Sequence, residues 1–165
     1  MAVAADTAHS THARFMRQAL ECARRSMAAG GPPVGACLVR DGAVLAAAQN
    51  AVIQDLDVTA HAEMGVLRAA CRAERTLVLT GCDLYVTVEP CAMCLTAAFY
   101  AGVRGIYFGA PVRALQAITG HELAVQATAL FGTVAAAPTL TGGILAADCI
   151  ELLTVWGQQF AGGTG

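Results

Sequence analysis

Two short motifs place metal-binding side chains where the surrounding pattern predicts that helices begin. They are His-Ala-Glu at 61–63 and Pro-Cys-Ala-Met-Cys at 90–94. Segment 60–74 is typical of a helix, and segment 83–89 is rich in β-branched and aromatic residues, which favour a strand. Pro90 then stands where a second helix is expected to begin. A fold in which both motifs act together must therefore bring two helix starts to one place.

The residue types in these motifs are those of a zinc site. Cys91 and Cys94 are three residues apart, so a helix puts both thiols on one face, near the positive end of its dipole. That position favours the thiolate, which is the form that binds metal. His61 adds a nitrogen, and a Cys₂His set leaves one tetrahedral position open for water, as in catalytic zinc sites. We therefore predict a bound Zn²⁺ with a water or hydroxide, held by His61, Cys91 and Cys94.

Glu63 lies next to the predicted metal ligand His61 and is the candidate catalytic residue. Zinc lowers the pKa of a bound water to about 7, and using that water requires a neighbouring proton carrier. The order H-x-E…P-C-x-x-C is a signature of zinc deaminases that act on nucleobases. An alternative is a zinc-stabilised interaction module without catalysis. A structural site, however, needs no proton carrier and normally has a fourth ligand, which the sequence does not offer.

Composition limits the class of protein. The chain has 165 residues, 56% of them hydrophobic and 13% charged, so we expect a single folded domain over 1–165. There is no lysine, which excludes a Schiff-base lysine and a P-loop, and the net charge of −2 argues against nucleic-acid binding. So few charges on an apolar chain also predict that part of the surface is covered, which favours a homodimer.

The N-terminal stretch lacks the pattern of a signal peptide, and no apolar run is long enough to predict a membrane span. The seven cysteines are mostly well separated, which is typical of reduced thiols rather than of a disulfide framework. We therefore expect a cytoplasmic protein without membrane contacts.

Strands alternate with helices along the chain, which predicts a three-layer α/β/α arrangement. A helix over 12–28 is expected to be capped by Ser10 or Thr11, and Asp41-Gly42 predicts a hairpin between two strands. The second motif's helix should stop at Gly102, followed by a strand at 105–110 and a final helix at 145–160 with a frayed tail. Residues 112–142 show little pattern beyond a possible strand near 133–137.

Segment 57–110, which contains both motifs, resembles the cytidine/deoxycytidylate deaminase superfamily. Within it, "TVEPCAMC" is similar to the branch of guanine deaminases, fungal-type cytosine deaminases and tRNA adenosine deaminases. The likeness extends from about residue 12 to 110, and a weaker likeness is present at 140–156.

The resemblance implies a cytidine deaminase-like fold with a central five-stranded mixed sheet, usually dimeric. It implies that His61, Cys91 and Cys94 bind zinc and that Glu63 carries a proton from the attacking water to the ring nitrogen. It also implies that the Asn50 side chain hydrogen-bonds the substrate and that the backbone N–H of Ala62 meets a carbonyl of the base.

The expected substrate is a free nucleobase or a small aminated heterocycle or nucleoside, guanine-like first and cytosine-like next. A tRNA-specific adenosine deaminase is the alternative, but it requires basic side chains, and only Arg104 and Arg113 follow the zinc cysteines. The sequence from 111 onwards departs from both branches. His121-Glu122 lacks the second histidine of HExxH, so we interpret it as surface, and we expect Phe99, Phe108 and Trp156 to pack in the core.

Overall fold

The computed structural model describes the backbone of residues 2–120, 122–123, 125–132 and 134–162. Side chains are described over the same ranges except at 2–10, 128 and 160–162. In chain order, the elements of this part of the protein are α1 (Ala2–Ala28), β1 (Gly35–Arg40), β2 (Ala43–Gln49), α2 (Val52–Asp55), α3 (Ala62–Glu74), β3 (Asp83–Val88), α4 (Ala92–Tyr100), β4 (Gly105–Ala110), α5 (Val112–Thr119), α6 (Ala127–Phe131), β5 (Thr139–Thr141) and α7 (Ala146–Gly162).

The five strands form one mixed sheet in the order β2-β1-β3-β4-β5. Strand β1 is antiparallel to both β2 and β3, whereas β3, β4 and β5 are parallel to one another. Helices cover both sides: α1 packs on β1 to β3 and touches α7, and α3 and α4 contact each other. The predicted three-layer α/β/α fold with a five-stranded mixed sheet is confirmed.

Strand direction decides where the site can be. Because β1 runs against both of its neighbours, β2 points the same way as β3 and β4. The carboxyl ends of these three strands therefore lie at one edge of the sheet, together with the chain that enters β1. Open α/β sheets bind ligands at this kind of edge, because the loops that leave the strands converge there.

Several predicted boundaries were right and others were wrong. The Asp41-Gly42 hairpin and the strand at 105–110 are present. Helix α1 begins at Ala2, so Ser10 and Thr11 lie inside it and do not cap it. Residues 133–137 contain no described strand; the fifth strand is Thr139–Thr141, a polar segment that exists because it pairs with β4.

Residues 112–142, which show little sequence pattern, also contain helices that the spacing of apolar residues did not predict. These are α5 and α6, and a further single-turn helix, α2, lies between β2 and α3. At the C-terminus, α7 continues through Gly162 where a frayed tail was expected, and residues 163–165 lie outside the described part. All seven cysteines are free. Within the described residues, no helix combines the length and apolar character that crossing a membrane requires.

Helix α1 lies directly against the start of β1 at Gly35. A methyl group at this position would collide with the backbone of Ala19 and Ala23 and with the side chain of Cys22. The backbone N–H of Gly35 also donates to the Thr87 hydroxyl of β3 over 3.2 Å. Gly35 thus allows the close approach of helix to sheet that shapes the edge where the strand ends converge.

We expect Gly35→Ala to lower the free energy of unfolding by about 3 kcal/mol, because the colliding atoms belong to a helix backbone that cannot move locally. Chemical denaturation followed by circular dichroism measures this change. Ala47→Val, at an exposed position of the paired strand β2, is the control, and its effect should stay within about 0.5 kcal/mol. Equal stability of the two variants would contradict the described packing.

Candidate metal centre and cavity

Both motifs put a metal-binding side chain at the N-cap of a helix. His61 is the N-cap of α3 and Cys91 is the N-cap of α4, each with extended backbone dihedrals. Neither makes a side-chain capping hydrogen bond, although N-caps usually carry a short polar residue that does. The capping positions are thus used to hold ligand atoms in front of two helix N-termini, where the helix dipoles favour negative charge.

The three predicted ligands come together with the spacing of a tetrahedral zinc site. The Nδ1 atom of His61 lies 3.8 Å from the Sγ of Cys91 and 3.6 Å from the Sγ of Cys94, and the two sulfurs are 3.8 Å apart. Tetrahedral zinc with Zn–S bonds of about 2.3 Å and Zn–N bonds of about 2.0–2.1 Å requires S–S separations of about 3.8 Å and S–N separations of about 3.6 Å. The residues present therefore fit zinc.

The donor set leaves a coordination position open. Among the residues whose side chains are described, no fourth histidine, cysteine or carboxylate joins the group of His61, Cys91 and Cys94. Hydrogen bonding with the Cys94 thiol, together with His61, lowers the pKa of Cys91 to about 4 despite its burial. The same hydrogen bond with Cys91, together with burial, raises the pKa of Cys94.

Glu63 lies in the first turn of α3 and faces the cavity beside the metal ligands. Its side chain is buried, with 2% of its surface exposed, and its Oε2 atom has no hydrogen-bond partner among the described residues. Burial raises its pKa. A buried carboxylate oxygen without a partner is costly for stability, and such groups are concentrated at functional sites.

Asn50 follows β2 directly, and its side chain is held in a defined orientation. Its Oδ1 accepts a hydrogen bond from the backbone N–H of Val52 over 3.2 Å, so its side-chain NH₂ is the group that can donate to a ligand in the cavity that Asn50 lines. The Ser26 hydroxyl lies within hydrogen-bonding distance of the Asn50 and Pro32 carbonyls. Ala62 is fully buried as the first residue of α3, where backbone N–H groups have no intrahelical acceptor.

These groups open into a cavity of about 550 Å³. Its walls come from the chain entering β1, from the loops that leave β2, β3 and β4, and from α7, as strand direction predicts. The lining residues are Gly30, Pro32, Val34, Asn50, Val52, Ile53, Val58, His61, Glu63, Val88, Glu89, Cys91, Val112, Leu115, Thr119, Glu122 and Trp156.

Three residues line the cavity that the sequence did not place there. Glu122, taken as surface, lines the cavity and accepts a 3.0 Å hydrogen bond from the Thr119 hydroxyl; His121 lies outside the described residues. Glu89 accepts a hydrogen bond from the backbone N–H of Val112 over 3.1 Å and so holds the start of α5. Trp156 is buried as expected, with 8% of its surface exposed, but it also lines the cavity.

Comparison with known proteins agrees with this geometry. The family model for the zinc-binding region of cytidine and deoxycytidylate deaminases matches residues 9–110. The chain belongs to this family. Its bound metal is therefore zinc, and the cluster of His61, Cys91 and Cys94 is the site that fits it.

Members of the deaminase family with different substrates resemble the chain. It is 48% identical over 103 residues to a tRNA-specific adenosine deaminase of Agrobacterium fabrum, which covers 62% of this chain and 66% of that protein. It is 40% identical over 100 residues to a guanine deaminase of Bacillus subtilis, which covers 60% and 64%. These matches span slightly less than two thirds of each relative. A guanine deaminase structure from Nitrosomonas europaea superimposes with a TM-score of 0.80 at 28% identity, over 88% of this chain and 84% of that one.

We expect the purified protein to contain about one zinc ion per chain, and His61→Ala or Cys91→Ser to lose it, because two ligands hold the ion poorly. Metal analysis by mass spectrometry measures this loss. Cys71→Ser, which changes a partly exposed thiol of α3 outside the cluster, is the matched control and should retain zinc. Full zinc content in Cys91→Ser would rule out the proposed ligand set.

Proposed function

We propose that the protein is a zinc-dependent hydrolytic deaminase of a free nucleobase or small aminated heterocycle, guanine-like first and cytosine-like next. The observation that carries this proposal is the charge of the cavity. Among the described residues, its lining contains the carboxylates Glu63, Glu89 and Glu122 and no arginine, and the chain has no lysine. Such a lining suits a neutral ring with N–H donors and disfavours a phosphate.

The reaction consumes one water, replaces an exocyclic amine by a carbonyl oxygen and releases ammonia. Zinc bound by His61, Cys91 and Cys94 supplies a Lewis acid that makes water acidic enough to act as a nucleophile near neutral pH. Glu63 takes a proton from the attacking water and passes it to the ring nitrogen. It then takes the proton of the hydroxyl group newly formed on the ring carbon and passes it to the amine, so that the carbonyl forms as ammonia leaves. Its burial supports this role, because a raised pKa brings a carboxyl group closer to the range in which it can both accept and donate.

Substrate orientation follows from the groups around the metal. The Asn50 NH₂ and the Ala62 N–H are donors for acceptor atoms of the ring, as the resemblance implies. Glu122 is held by Thr119 and accepts hydrogen bonds when ionised, so it complements a ring edge that carries N–H groups. A guanine-like ring offers both acceptors and N–H donors.

The second candidate is a tRNA-specific adenosine deaminase. It is favoured by the 48% identity to the Agrobacterium protein that has this name. Binding a folded RNA, however, requires several cations near the cavity, because affinity comes mainly from phosphate contacts. After the zinc cysteines the chain has only Arg104, which is paired with Asp83 over 2.6 Å, and the exposed Arg113.

We also propose that the protein is a homodimer. Large apolar side chains such as Leu56 and Tyr100 are 92% and 78% exposed in the single chain. A second subunit would remove apolar surface of this kind from water.

We expect Glu63→Ala to keep zinc and the fold but to lose turnover by at least about 10²–10⁴-fold, because the change removes a proton carrier and not a ligand. Ammonia release and zinc content, measured on the same preparation, test this. Glu74→Ala at the end of the same helix removes an exposed carboxylate and is the control, with turnover near that of the unmodified protein. Zinc loss in Glu63→Ala would instead assign this residue a structural role.

The substrate class is tested by an ammonia-release screen over guanine, cytosine, adenine, isocytosine and their nucleosides, run beside deamination of a tRNA anticodon. We expect turnover of a free aminated ring and no salt-sensitive tRNA binding at physiological ionic strength, because no arginine is among the described residues that line the cavity. Inosine formed in the tRNA, with every small ring unreacted, would establish the second candidate.

A further inference from the structure

The cavity is larger than the ring that the proposed reaction needs. Its volume of about 550 Å³ lies in the range of clefts that enclose drug-sized ligands, about 300–1,000 Å³. A free base occupies only the part of this space next to the metal ligands. The remaining volume must hold either water or a further part of the substrate.

The cavity has a buried end and an exposed mouth. Glu63 and Asn50 are 2% and 4% exposed and lie at the buried end, with the metal ligands. Ile53 and Val58, which also line the cavity, are 57% and 85% exposed and therefore lie at its mouth. Val52, Val112, Leu115 and Trp156 add apolar lining.

Val58, at the mouth of the cavity, belongs to the loop that precedes the metal ligand His61. In this loop the Asp57 carboxylate accepts hydrogen bonds from the backbone N–H and the hydroxyl of Thr59, each over 2.7 Å. Arg68 of α3 also donates to the Thr59 hydroxyl over 2.9 Å. Val58 lies between these two anchored residues, so its exposed side chain is held at a defined place beside the cavity.

Charge restricts what such a mouth can bind. In the part of the chain that the structure describes, the ionisable cavity residues beyond the zinc ligands are Glu63, Glu89 and Glu122, and no arginine lines the cavity. An anionic substituent would lie among carboxylates without a counter-ion. An uncharged apolar substituent would instead remove the exposed side chains of Ile53 and Val58 from water.

Resting on the proposed function, we propose that the substrate is an aminated ring carrying an uncharged apolar substituent on the side away from the amine that leaves. The ring occupies the buried end beside Glu63 and Asn50. The substituent contacts the apolar lining, which includes the exposed side chains of Ile53 and Val58 at the mouth and the buried side chains of Leu115 and Trp156. Phosphorylated or carboxylated forms of the same ring are excluded.

The test compares guanine with 7-benzylguanine, 9-benzylguanine and their carboxybenzyl counterparts. These substituents lie on the five-membered ring, remote from the amine. We expect kcat/KM of the better benzyl compound to exceed that of guanine by about tenfold, because an aromatic group is buried against apolar side chains. The carboxybenzyl compounds should react more slowly than guanine.

Val58→Ser should reduce the ratio of benzylguanine to guanine turnover by about fivefold. Leu77→Ser is the matched control, since Leu77 is 80% exposed and precedes β3 at the opposite edge of the sheet; it should leave the ratio unchanged. Binding is measured independently of turnover with zinc-loaded Glu63→Ala, because Trp156 lines the cavity and is the only tryptophan of the chain. Its fluorescence should change at lower concentrations of the benzyl compound than of guanine.

Each contrary result has a distinct meaning. Guanine turnover without any preference for the benzyl compounds, or an unchanged ratio in Val58→Ser, overturns the inference and leaves the proposed function standing. Failure of every small ring to react overturns the proposed function and the inference with it. A lower molecular mass of Val58→Ser in light scattering, with an unchanged ratio, would place this residue in a subunit interface and overturn its assignment to substrate binding.

Discussion

The structure depends on two helix N-termini that point at the same small volume. Helices α3 and α4 begin at His61 and Cys91, and the donor atoms of these residues and of Cys94 lie 3.6–3.8 Å apart. Converging positive helix ends are unfavourable unless negative charge lies between them. Thiolates supply that charge, and zinc joins them to the histidine, so the metal fixes the relative positions of the two helices.

Strand direction brings the remaining residues of the site to the same edge of the sheet. Strands β2, β3 and β4 point the same way, so the residues that follow them meet at one edge. Asn50 follows β2, Glu89 follows β3, and α5 follows β4. The Glu89 carboxylate then binds the first N–H of α5, which ties the zinc motif to the helix that precedes Glu122. The sheet brings the segments after β3 and β4 to one edge, and this hydrogen bond holds them in place relative to each other.

The charge of the described cavity lining supports the proposal of an uncharged ring rather than a polyanion as substrate. Buried carboxylates close to zinc are tolerable because the cation offsets part of their charge, and this environment is what suits Glu63 to the proposed role of proton carrier. The family likeness covers proteins with different substrates, since the zinc chemistry is common to all of them. Discrimination between substrates must therefore come from the loops and helices after β2 and β4. These segments supply the apolar mouth and Glu122.

Local spacing in the sequence determined the metal centre and pointed to the proposed proton carrier. Cys91 and Cys94 are three positions apart, so one helix start brings both thiols to one face, and Glu63 lies in the first turn of the helix that begins at His61. The alternation of strands and helices likewise determined the layered fold. Only the tertiary structure brought Glu122 and Trp156 into the cavity and made a strand of Thr139–Thr141. Their placement depends on pairing and packing between segments distant in sequence, which no local pattern encodes.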